Sequence, residues 1–344
     1  MKYIDLPLPE LYDLASDPKE DHNLAASRPQ DLEEMRGLLG RLRSADRGVE
    51  SVKESAETRE RLRALGYVTS AAESTVKERY TEDDDPKRLI ALDAELETVT
   101  ARHRAGDLAG ALALCEEILR RRPQMPLVLV QLASLQREAG RVDAAVNTAK
   151  KAFVMNPHDA ETAALLGRYL NDSGRPREAL ALLEPFAKAL DPLPDVLMSW
   201  GIGQAQLGRG KEALAAFEQV RKRDPANALA LVNVGTVHLM ARDYGRAKEA
   251  FEGALALNPN MARAHNSLGV IAAETGNADE AIERWKRAVE VEPRDVDTLF
   301  NLGSLLRQRG RIAEARPYLE RFLKEAPPAL YGRDIARVRG WLGA

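Results

Sequence analysis

From Ala264 the chain reads AHNSLGVIAAETGN and then ADEAIERWKRAVEVEP, ending at Pro293. Apolar side chains recur at helical spacing at Leu268 and Ile271, and again at Ile282, Trp285, Val289 and Val291. The pattern predicts two helices joined by a short turn. Gly276 suits the end of the first helix, where a positive φ is cheap only for glycine. Pro293 stops the second helix, because proline cannot continue one. Gly269 and Ala281 are small on facing stretches and let the two helices approach closely.

The same pattern returns every 34 residues. Ala111, Ala145, Ala179, Ala213, Ala247, Ala281 and Ala315 keep that step. So do Gly106, Gly140, Gly174, Gly208, Gly276 and Gly310, with Arg242 in the one slot that lacks glycine. Gly167, Gly201, Gly235, Gly269 and Gly303 form a third series, and prolines from Pro123 to Pro327 a fourth, with Pro192 one residue out of step. A helix pair at fixed period cannot bury its apolar faces alone and must stack on its neighbours. The expected fold is therefore all-α, a solenoid of about seven helix-turn-helix units between 92 and 329. The last stretch, 330–344, is expected to be a more polar helix covering the exposed end.

These residues resemble the tetratricopeptide repeat family, whose period is 34. The resemblance implies a right-handed α-solenoid whose first helices line a concave groove. In the second helix the family's aromatic stands as Phe217, Phe251 and Trp285, but as Cys115, Ala149 and Leu183 in earlier units. The family's groove holds an extended peptide or a helix of another protein. The resemblance therefore implies an interaction scaffold with a protein or peptide partner. The residues expected to face the groove are Met198, Val232, Asn233, Arg263, Asn266, Val270, Phe300, Asn301 and Arg307. Asn233 and Asn301, with Ser199 and Ser267, partly resemble the asparagine ladder of the O-linked N-acetylglucosamine transferase repeats. There the amides bind peptide backbone.

The first residues follow another pattern. KYID is strand-like, LPLPE is an edge or turn, and SDPKEDHNLA leads into a helix from about Pro29 to Leu42. One strand, one turn and one helix cannot enclose a core. Glu10, Leu11, Tyr12, Asp13 and Leu14, followed by Asp17, Pro18, Glu20, Asn23, Leu24 and Ala25, resemble the closing strand and turn of the sulfatase family. Arg59–Val68 resembles that family's closing helix. The expected organisation is a small incomplete α/β remnant at 1–68, a linker at 69–90, the repeat array at 91–329 and a capping helix at 330–344. The acidic run Glu82–Asp85 is expected to be solvated linker. On this resemblance the alternative reading is the non-catalytic C-terminal portion of a sulfatase-like hydrolase. The family's C/S-x-P-x-R nucleophile motif is absent, so no catalytic residue is expected and the chain is read as no enzyme.

Composition narrows the field further. Net charge is -3 and aromatics are 5%, with no continuous basic stripe, so nucleic acid is not expected as a partner. No run of about 20 apolar residues predicts a membrane span. Cys115 is the lone cysteine, and no two of the five histidines sit at i, i+4, so no metal or cofactor is expected. A homo-oligomer stays open. The compartment is cytoplasmic if Met1 is the true start, and periplasmic or membrane-associated if the chain continues a longer sulfatase.

Overall fold

The computed structural model of the chain describes residues 1–45, 82 and 85–343. Arg59–Val68 and most of the 69–90 linker lie outside them. Sixteen helices and one two-stranded sheet occur among the described residues. They divide into two compact units, Met1–Ala139 and Gly140–Ala344.

The first unit opens with β1 (Lys2–Ile4) paired antiparallel to β2 (Glu10–Tyr12), with Tyr3 opposite Leu11. The single strand expected here is thus a hairpin. The far edge of β2 is occupied by the turn that follows. Leu24 donates its backbone N–H to the Leu11 carbonyl at 2.7 Å, and Asn23 Oδ1 accepts from the N–H groups of Leu11 and Ala25, both at 3.0 Å. Asp17 accepts from the backbone of Asp21 and His22 and closes the turn. Helix α1 (Pro29–Ala45) follows and has no buried residue.

Helix α2 (Pro86–Arg104) begins inside the stretch expected to be linker. Asp85 corrects that expectation. It is fully buried and N-caps α2 through the Lys87 N–H at 3.0 Å. Its other oxygen accepts from the backbone N–H of Leu8 at 2.9 Å. Lys87 pairs with Glu10, which also accepts from the Tyr12 hydroxyl at 2.9 Å. A buried carboxylate needs such donors, and the hairpin and the helix start supply them together. Helices α3 (Leu108–Arg121) and α4 (Pro126–Glu138) complete the unit. Its core joins Leu92 and Val99 of α2 to Ala111, Cys115 and Ile118 of α3 and to Val128 and Leu132 of α4.

The second unit starts with α5 (Val142–Met155). Five helix pairs follow. They are α6 (Ala160–Asp172) with α7 (Pro176–Ala187), α8 (Pro194–Gln206) with α9 (Gly210–Arg223), α10 (Ala228–Met240) with α11 (Tyr244–Leu257), α12 (Ala262–Glu274) with α13 (Ala278–Val291), and α14 (Val296–Gln308) with α15 (Ile312–Glu325). Helix α16 (Pro328–Leu342) closes the chain and departs from helical geometry at Tyr331.

The repeat positions act as their residue types dictate. A Cβ built on Gly201, Gly235 or Gly269 would stand 2.5–2.8 Å from the ring of Phe217, Phe251 or Trp285. The aromatic of each second helix therefore lies directly on the glycine of the first. Gly276 has φ +84 and ends α12, as its place in the pattern requires. Each alanine of the 34-residue series, from Ala111 to Ala315, is at most 1% exposed.

Candidate functional site

The first helices of the second unit each bury one side against their partners and leave another side open. The open residues recur at the second, ninth and thirteenth positions of each unit, with the sixth beside them. In α8 these are Asp195, Ile202, Gln206 and Ser199; in α10 they are Leu229, Thr236, Met240 and Asn233; in α12 they are Arg263, Val270, Glu274 and Ser267. Steps of four, three and four residues place each set on one helix face.

Of the nine residues expected in a groove, Arg263 and Arg307 are exposed and Asn266, Val270, Phe300 and Asn301 half-buried. Three are buried, namely Met198, Val232 and Asn233. Met198 and Val232 hold the fifth position, which faces the next repeat. Met198 packs in a cluster with Ala230 and Val237 of α10, and Val232 in one with Ala264, Leu268 and Ile271 of α12. Phe300 is covered by the end of the chain. Its ring lies 5.2 Å from Phe322 and is stacked 6.3 Å from Trp341. The Arg307 guanidinium sits 4.8 Å over the Trp341 ring.

The amides and hydroxyls of the sixth position differ among themselves. Ser199 Oγ donates to the Ala164 carbonyl of the preceding first helix at 3.1 Å, and its own carbonyl accepts from Asn171 Nδ2 at 2.8 Å. Asn233 is 4% exposed, and its Nδ2 has no hydrogen-bond partner. At the adjoining fifth position Asn266 Oδ1 is likewise buried without one, while the Asn266 carbonyl accepts from Trp285 Nε1 at 3.1 Å. The residues of these sets that sequence reasoning missed are Asp195, Ile202, Gln206, Leu229, Thr236, Met240 and Glu274. Their i, i+4, i+7, i+11 spacing from the helix start was the available signal.

Cys115 is fully buried, and burial pushes its thiol up to about 11, so it is not a nucleophile at neutral pH. No three His, Cys, Asp or Glu side chains among the described residues are grouped to hold a metal. No helix among them is long and apolar enough to cross a membrane.

Stacked antiparallel helix pairs of 34-residue period define an α-solenoid repeat protein. Tetratricopeptide repeat models match residues 102–168, 160–185, 198–247, 235–285 and 274–329, together more than half of the chain. The chain belongs to the tetratricopeptide repeat family. The human Protein O-mannosyl-transferase TMTC1 is 24% identical over 217 residues, covering 62% of this chain and 24% of that protein. The Cellulose synthase operon protein C of Pseudomonas fluorescens is 27% identical over 193 residues, covering 54% of this chain and 14% of that protein. The Peroxisomal targeting signal receptor of Saccharomyces cerevisiae is 30% identical over 109 residues, covering 32% and 17%. The chain thus spans about a quarter or less of the length of these relatives. Among solved structures, the type IV pilus biogenesis factor PilW aligns with TM-score 0.51 at 20% identity, over 62% of this chain and 97% of that one. The Cut9–Hcn1 hetero-tetramer of the APC/C aligns with TM-score 0.55 at 16% identity, over 70% and 48%. These two share the fold.

Proposed function

We propose that this protein is a non-enzymatic scaffold whose first helices hold a segment of a partner protein. The observation that carries the reading is the stripe left open on consecutive first helices, charged at Asp195 and Arg263 but uncharged along α10 between them. Repeat stacking creates extended surfaces of this kind. The peroxisomal receptor and the APC/C assembly among its likenesses are named for recognition and assembly, which agrees with a binding role. A photo-crosslinking amino acid at Gln206, on the stripe, is expected to trap a partner in cells. The same group at Glu218, exposed on a second helix, is not. Equal trapping from both positions would refute the groove. Within that reading, Asn233→Ala combined with Asn301→Ala tests the asparagine ladder, which fails if a trapped partner still binds at full strength.

A second reading rests on the N-terminal unit. Two of the residues shared with the sulfatase ending, Asn23 and Asp17, fasten backbone. Helix α1 meanwhile leaves Leu38 and Leu42 exposed. Both features suit the edge of a larger domain. The native mass and the DNA upstream of Met1 test it. A longer in-frame product carrying C/S-x-P-x-R supports the sulfatase reading, and a native mass of 37.9 kDa removes it.

A further inference from the structure

The pair α10–α11 departs from its neighbours at three places that meet on one helix and its turn. The first is backbone. Gly106, Gly140, Gly174, Gly208, Gly276 and Gly310 hold the turn between helices at φ +71 to +84, whereas Arg242 holds it at φ +58. That region penalises any side chain, so glycine would be the more stable choice. The second is the thirteenth position. Glu138, Asp172, Gln206, Glu274 and Gln308 are polar there, while Met240 is apolar and 60% exposed. The third is the second position, where Leu229 is 50% exposed between the charged Asp195 and Arg263 of the adjoining helices. Leu229, Asn233, Thr236 and Met240 thus form an uncharged stripe about 16 Å long. Arg242 stands exposed at its end and makes no ion pair with any described residue.

We propose that α10 and its turn are the specificity site of the groove, taking a partner segment that sets apolar side chains on Leu229 and Met240 and one carboxylate on Arg242. The proposal rests on the groove reading and names what the groove selects. An exposed large apolar residue at each end of an uncharged stripe favours apolar side chains from the partner. A strained residue that keeps a long cation where the neighbours carry glycine points to a use for that cation. A single carboxylate suits it better than a polyanion. Glu274, bonded by the Tyr244 hydroxyl at 3.5 Å, and Asp243 beside Arg246 would both repel further negative charge.

The test selects phage-displayed random dodecapeptides on the full chain and titrates a synthetic representative by fluorescence anisotropy. Enriched peptides are expected to combine apolar residues with one Asp or Glu. Arg242→Gly is expected to raise the apparent thermal midpoint by about 2 °C. The same variant should weaken the acidic peptide about 2- to 5-fold, the range of an exposed ion pair. That difference should vanish for the peptide's own Glu→Gln version, and Arg242→Lys should keep most of the affinity. Equal binding by Arg242→Gly, or enrichment without acidic residues, overturns the proposal. Asp195→Lys, Leu229→Glu and Arg263→Glu separate it from the groove reading. If all three leave binding unchanged the groove itself is wrong. If any weakens binding while Arg242→Gly does not, only the carboxylate site falls. A selection that returns no peptide counts against both.

Discussion

Gly269 and Gly276 are glycine for unrelated reasons, and substitution tells them apart. At Gly269 the obstacle is contact. A Cβ would stand 2.5 Å from Trp285 Nε1, and the indole is pinned by its bond to the Asn266 carbonyl, so the ring cannot give. Gly269→Ala is expected to cost about 2–3 kcal/mol, the range for overpacking a core. At Gly276 nothing lies within 4 Å of a Cβ, and the obstacle is φ +84 alone. Gly276→Ala is expected to cost about 1 kcal/mol. Ala213 is fully buried, and Ala213→Glu would place an unpaired carboxylate between helices at a cost of at least ~3 kcal/mol. Urea unfolding of the three variants should give that order. A harmless Ala213→Glu would refute the repeat register from which the order was derived.

At the scale of elements, the repeat was legible, and so were the strand at Lys2, the turn at Asp17 and the helix at Pro29, whereas the second strand and the hairpin's hold on α2 were not. The alanine series is unbroken and the glycines and aromatics recur in most repeats, so one decoded pair located the equivalent positions of the others. Met198 and Val232 fell on the groove list although they pack on the next helix, because apolar type alone does not say which face it serves. The hairpin's hold on α2 was hidden for a different reason. Leu8 and Asp85 lie 77 positions apart, and no local pattern announces a bond between them. That hold carries a pH dependence. The Lys87 ammonium beside Glu10, with the Tyr12 hydroxyl, holds the Glu10 carboxyl below its ordinary 4.5. A depressed carboxylate contributes stability that is present above the unfolded value and lost as pH falls through the folded one. The hairpin is therefore expected to loosen below pH 4.5 and to stay fixed from there to neutrality. NMR shifts of the Lys2–Tyr12 amides, followed from pH 6 to 3, check this. Lys87→Met should move the transition upward in pH, and an unchanged midpoint would show that the pair does not hold the hairpin.

Over the whole molecule, a stack of repeats has no single centre, so its end must be closed by something with one polar side. Helix α16 does this for the second unit. Ile335 and Val338 are buried in a cluster with Leu299, Leu302, Leu319 and Phe322, while Arg333, Arg337 and Arg339 face outward. The Tyr331 hydroxyl donates to Asp297 Oδ1 at 2.9 Å, and burial together with that bond pushes its pKa up to about 12, so it remains a donor throughout the neutral range. A chain ending at Pro327 would uncover the α14–α15 core and lose about 4–6 kcal/mol, from two buried aliphatic side chains, Ile335 and Val338, and part of Trp341. If stability is the sum of each repeat and its nearest neighbours, that loss stays local. Hydrogen exchange read by mass spectrometry should then show α14 and α15 losing protection while α6 to α9 keep theirs. Trp341→Ala should do the same more weakly, since it removes only the ring beneath Arg307 and beside Phe300. Protection lost evenly from α6 to α15 would mean that the five pairs open as one block. A partner bound at α10 would then be felt at both ends of the unit, whereas local loss would confine its effect to the neighbouring pairs.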